Sequence, residues 1–165
     1  MAKAKKSWQE KLNDDKDLPK VIEINERMSQ RWGSGTCVIP APIEVNEIMR
    51  SVLKGSLITI NQIREKLAKK HKASIGWPIT TGIFAGIAAR AAEESYADGK
   101  KDITPYWRTL KSKGELNEKY PGGTAEQEAR LKAEGHTIIP GKGKKPPVVK
   151  DYEKKLVEEM LTDNV

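Results

Sequence analysis

Apolar residues recur at helical spacing in successive stretches between Ile43 and Ala91, and this run of stripes constrains the fold more than any other feature of the chain. In the first stretch Ile43, Ile48, Met49, Val52 and Leu53 share a helical face, preceded by Pro40 and Pro42 and closed by Gly55. The second opens on Thr59, Ile60, Asn61 and Gln62, a capping-box pattern in which hydroxyl and amide satisfy the free donors of a helix start. Ile63, Leu67 and Ala68 form its inner face, and the basic residues Lys69 and Lys70 lie near its end. The third, after Trp77 and Pro78, carries Ile79, Ile83, Phe84, Ile87, Ala88 and Ala91 and stops near Asp98 and Gly99. Three helices in succession predict a helix-turn-helix core.

Around this core the chain divides into an irregular N-terminal arm (1–40), the helical domain (41–139) and a basic linker with a C-terminal helix (140–165). The arm begins with a short helix opened by Ser7 and Glu10. Thr104 to Leu110, followed by Lys113-Gly114, reads as a strand and tight turn, a small wing. Thr124 and Gln127 repeat the capping pattern ahead of a helix ending at Gly135. Lys142, Lys144, Lys145 and Lys150, with no acid between them, suggest a mobile linker, and Tyr152, Leu156, Val157 and Met160 a final helix that docks on the core or on a protein partner.

A net charge of +7 favours an anionic partner, nucleic acid foremost. The single cysteine, Cys37, excludes an intrachain disulfide and fits a reducing, cytoplasmic setting. His71 and His136 are too few and too far apart to argue for a metal, and no motif asks for a cofactor. No apolar run is long enough to span a membrane, so the expectation is a protein neither secreted nor membrane-embedded.

The stretch Thr104-Pro105-Tyr106-Trp107-Arg108 resembles the Pro-Cys-His-Arg motif of the alkylguanine-DNA alkyltransferases. Ser112 and Gly114 fall at that family's turn, Tyr120-Pro121-Gly122-Gly123 resembles its tyrosine and double glycine, and Glu134-Gly135-His136 its Glu-Gly-His end. Upstream, Lys54 to Thr59 resembles the segment leading into its second helix, so the likeness spans Ile43 to His136 in order. It implies a mainly α fold with a small β wing, a winged helix-turn-helix, and DNA as partner of a monomer. The helix from Ile79 to Ala92 would then face the minor groove, with Lys111 and Lys113 on the wing and Tyr106, Trp107 and Glu134 around the pocket for an extruded base.

The departures decide the chemistry. Alkyl transfer to protein needs a thiolate and a group that ionises it, whereas the matching positions hold Tyr106 and Trp107. The resemblance is therefore to the cysteine-lacking alkyltransferase-like proteins: a non-enzymatic DNA binder that recognises damaged or distorted DNA. Ile60 stands where the family has a tyrosine that rotates the phosphate, and Ile79-Thr80-Thr81-Gly82 lacks the inserted arginine, which leaves Arg90 as a candidate substitute and Ile79 as a candidate apolar wedge. Thr59, Ile60, Asn61, Lys69, Lys70, Thr80, Thr81, Arg90, Arg108, Lys111 and Lys113 make up the expected DNA contacts.

Each feature also has a plainer reading. Gly82, Ala85, Gly86 and Ala89 give either a face for close approach to DNA or a tight helix-helix contact. Tyr106 and Trp107 are either core aromatics or stacking surfaces, and Glu134, which has lost the histidine it would orient, is expected to be a helix-end or surface acid. The alternative functions are a sequence-tolerant minor-groove or regulatory DNA binder and a protein-interaction module on the same scaffold.

Overall fold

The computed structural model describes residues 7–14 and 17–157. Among these residues six helices, α1 (Trp8–Asn13), α2 (Glu26–Trp32), α3 (Pro42–Arg50), α4 (Ile60–Lys70), α5 (Pro78–Ala97) and α6 (Gly123–Ala133), are joined by short strands. These are β1 (Lys20–Glu23), β2 (Thr36–Ile39), β3 (Ile58–Thr59), β4 (Ile75–Gly76), β5 (Thr109–Leu110), β6 (Ile138–Ile139) and β7 (Val148–Val149). The result is a mainly helical domain with a small β wing, as expected.

The predicted stripes enter the core only in part: Met49, Val52, Ile63, Leu67, Ala68, Ala88 and Ala91 are buried, whereas Leu53, beyond the end of α3, and Ile79 and Ile83 of α5 are exposed, because α5 buries its small residues instead. Val45 and Met49 of α3, Ile63 and Leu67 of α4, and Ala85, Ala88, Ala89 and Ala92 of α5 meet in one cluster with Leu57, Ile58, Tyr106, Leu110, Leu116 and Leu131. Small residues along the inner face of α5 let α1 and α3 lie close against it. The α4 start is as the sequence writes it: Thr59 Oγ accepts from Gln62 N at 3.3 Å, and Gln62 Oε1 from Thr59 N at 3.0 Å.

The arm is woven into this core rather than laid over it. β2 lies between β1, which is antiparallel, and β4, which is parallel, in the order β1-β2-β4. Cys37 and Val38 are fully buried there. Gly76 of β4 runs so close to α4 that a side chain at this position would collide with the Arg64 carbonyl.

Four local expectations are corrected. Thr104 to Leu110 is not a strand: Tyr106–Arg108 forms a 3-10 turn, because consecutive Tyr106 and Trp107 are both buried and a strand would turn one of them outward. Only Thr109–Leu110 extends, pairing in parallel with β3 rather than in a hairpin. α6 starts not on a Thr124 cap but on Gly122 in the left-handed conformation, φ +80°. Gln127 turns inward instead, accepting from Asn117 N at 2.7 Å and donating to the Trp107 carbonyl at 3.1 Å.

The tail differs as well. Within the stretch expected to be a mobile linker, Val148–Val149 pairs with Ile138–Ile139, two β-branched valines after Pro147 outweighing the surrounding lysines. The expected final helix is a 3-10 turn at Tyr152–Lys155, after which the chain extends. Leu57 draws it out by donating to the Lys155 carbonyl and accepting from Val157 N, both at 2.8 Å. Met160, expected on that helix, lies outside the described residues. Among the described residues no helix is long and apolar enough to cross a membrane.

Candidate nucleic-acid interface

The first half of α5 turns an unusual surface outward. Ile79 and Ile83, one turn apart, are 58% and 55% exposed, and Gly82 between them has open space where a side chain would project. Its Ala85 and Ala89 neighbours belong to the buried face, so the small residues do not form one stripe. Among the described residues nothing lies within 4 Å of a side chain placed at Gly82, which speaks against the helix-contact reading at that position.

This surface borders a cleft of about 970 Å³, near the upper end of ordinary ligand pockets (about 300–1,000 Å³). Ile60 and Arg64 of α4, the outer side of α5 to Arg90, and the loop carrying Lys111, Asn117, Lys119 and Tyr120 enclose it, with Trp8 and Lys11 at one edge. Basic side chains outnumber the acidic one on this lining, and Glu118 is already paired to Lys111 at 3.1 Å. The cleft lining therefore combines apolar side chains with an excess of cations.

The residues expected around a base pocket form instead a packed unit behind Tyr120. Tyr106 is fully buried, meets the Tyr120 ring edge-on at 5.5 Å, and donates its hydroxyl to Glu93 at 2.6 Å. Burial and the Glu93 carboxylate push its ionisation well above the ordinary tyrosine value. Trp107 donates Nε1–H to Glu134 Oε2 at 3.0 Å, and the Arg130 guanidinium lies 4.4 Å from its ring centre. Arg108 bonds the same carboxylate through Nε and Nη2, the latter at 2.7 Å, and the Val52 carbonyl through Nη1. Burial alone would raise the Glu134 carboxyl, but the donors Arg108 and Trp107 hold it below the usual carboxylate range. Glu134 is thus an internal acceptor rather than a surface acid. Leu110 and Tyr120 line the cleft; Tyr106, Trp107 and Glu134 do not.

The expected DNA contacts divide sharply. Ile60, Arg90 and Lys111 line the cleft, and Lys113 is exposed on the adjoining turn. Thr80, on the first turn of α5, is half-buried with a hydroxyl that has no hydrogen-bond partner among the described residues. Arg90 bridges the cleft, donating Nη2 to the Lys119 carbonyl at 3.0 Å. Others are internal. Thr81 is fully buried and bonds the Trp77 carbonyl, Thr59 caps α4, and Arg108 is committed to Glu134 and Val52. Asn61 is exposed but holds Arg64 at 2.6 Å. Lys69 and Lys70 occupy the far end of α4, about 14 Å along the helix from Ile60, where Lys70 pairs with Glu44 at 2.6 Å. Trp8, Lys11 and Lys119 carried no spacing signal that joins them to this site, whereas Tyr120 lay in the matched glycine motif.

No family model and no curated protein matches the chain. Among solved structures it is similar to S. pombe Atl1, an alkyltransferase-like protein, seen in complex with damaged DNA containing O6-carboxymethylguanine. The superposition has a TM-score of 0.51 and covers 71% of this chain and 94% of that one at 16% identity. The chain shares the fold of that protein. At this identity the likeness speaks for the fold alone.

Proposed function

We propose that the chain is a non-catalytic DNA-binding protein that recognises damaged duplex with the outer face of α5 and the adjoining cleft. One observation carries the reading: Ile79 and Ile83 stand exposed on either side of a glycine that no described residue covers, on the lining of a cleft that also carries lysines and arginines. Gly82 permits a DNA backbone to come close, the isoleucines supply wedge volume for a disturbed base step, and the cations neutralise phosphate. In this reading α4 and α5 are the helix-turn-helix, and the turn near Lys113 is the wing. The neighbour's complex with damaged DNA supports the same choice of partner.

The reading includes loss of alkyl transfer. Tyr106 and Trp107 stand where alkyltransferases have cysteine and histidine, and a phenol bound to Glu93 is a poor alkyl acceptor. Cys37 does not replace the missing thiol: it is fully buried in β2, and burial pushes its pKa up to about 11. A free buried thiol also suits the cytoplasm.

Fluorescence anisotropy with a duplex carrying one O6-carboxymethylguanine, and the same duplex with guanine, tests the proposal. Tighter binding of the modified duplex, with affinity falling steeply as salt rises, is expected. Equal binding of both duplexes would favour the sequence-tolerant binder, and binding of neither at low salt would leave the protein-interaction reading.

A further inference from the structure

We infer that α1 is part of the nucleobase site, with Trp8 as a stacking surface for a base admitted to the cleft. The inference rests on the reading of the cleft as a DNA site and adds to it a residue from the arm.

A six-residue helix has too few internal bonds to persist alone, so the position of Trp8 depends on what holds α1. Its first turn is tied to α5 by one carboxylate: Glu94 accepts Trp8 N at 3.0 Å and Gln9 N at 3.1 Å. The Gln9 amide donates to the Ala91 carbonyl at 2.9 Å, and Leu12 is buried in the core. These contacts fix the backbone of Trp8 while its half-buried indole faces the cleft.

The surroundings of the indole choose the ligand. Lys11 Nζ lies 4.1 Å and Arg90 Cζ 5.2 Å from the ring centre. Arg64, Lys111 and Lys119 add further cations to the same lining. Cations seated over an apolar ring match a base and its flanking phosphates: the phosphates draw Lys11 and Arg90 off the indole, and the base stacks on the face they leave. An acidic peptide would satisfy the charge and leave the aromatic surface without a partner.

The test uses the full chain, its Trp8→Leu and Trp8→Phe variants, and the two duplexes named above. Leucine keeps apolar volume for docking α1 but removes the π face; phenylalanine keeps both. Helical circular dichroism and thermal midpoint establish that each variant folds. Trp8→Leu should weaken binding of the modified duplex at least fivefold while changing the unmodified duplex less than twofold, and Trp8→Phe should retain most of the preference. Wild-type affinity in Trp8→Leu, or equal losses on both duplexes or in both variants, would overturn the role of Trp8 and leave the DNA reading intact. Failure of the wild type to prefer the modified duplex would overturn the reading of the site itself, and this inference with it.

Discussion

The indole N–H of Trp107 is bonded to Glu134 at 3.0 Å, on a carboxylate that also receives the Arg108 fork. A ring with a single donor thus keeps a buried acid satisfied although it can take no part in proton transfer. Trp107→Phe removes that donor and should cost about 1–2 kcal/mol in urea denaturation, and Trp107→Ala about 3–5 kcal/mol through the cavity it opens. Glu134→Ala should also cost about 3–5 kcal/mol, since it strands the guanidinium of Arg108.

Acid should unfold the protein in two stages. Burial holds His136 below its ordinary 6.5, opposed by the Glu134 charge, so the folded state disfavours its protonation. The Glu134 and Glu44 carboxyls also lie below their ordinary 4.5; for Glu44 burial opposes this, and Lys70, the Ala41 amide and His71 outweigh it. In each case the folded pKa is the lower one, so the stability is full above the unfolded value and is lost as pH falls through the folded value. Thermal midpoints should begin to drop below about pH 6.5 and drop further below about pH 4.5. Glu134→Gln should flatten the second stage.

Stability and function should part at Gly82. With open space around it, Gly82→Ala should raise stability by about 0.5–1 kcal/mol, since it removes a helix-interior glycine without a clash. The same methyl should lower duplex affinity several-fold. A variant more stable on denaturation and unchanged in anisotropy would mean that DNA does not approach this face.

Charge on the cleft loop and charge at the far end of α4 give a further contrast. Lys119→Ala should reduce the salt dependence of DNA binding by about one phosphate contact, because its loop borders the cleft. Lys70→Gln should leave binding unchanged, because that lysine faces Glu44 at the opposite end.

Intact-mass measurement after incubation with O6-alkylguanine duplex should show unmodified protein. Transfer to Cys37 would require unfolding of β2, so a stoichiometric adduct on native protein would refute the non-catalytic reading.

What could be read in advance follows from the range of each interaction. α3, α4 and α5 are visible because their caps and much of their apolar spacing are local, whereas of the aromatic residues in the matched motifs only Tyr120 lies on the cleft. The direction of Gln127 was not visible, since the same Thr-x-x-Gln spacing serves a cap or an inward clamp and only Asn117 and the Trp107 carbonyl decide. Nor was the part played by Trp8, whose anchor Glu94 is 86 residues away. Arg108 and Thr81 looked like surface contacts because a polar side chain gives no sign, in sequence, of having found an internal partner.

The parallel pairing of β2 with β4 also bears on how the molecule is assembled. Cys37 must meet Ile75 across the whole of α3 and α4, so the central strand of the sheet has only its β1 edge satisfied until both helices have formed and turned back. Closing that span carries an entropic penalty before any contact between the strands repays it. Mutations in β2 should therefore retard refolding more than equally destabilising ones in α6, making a segment that resembles an appendage part of the step that sets the folding rate.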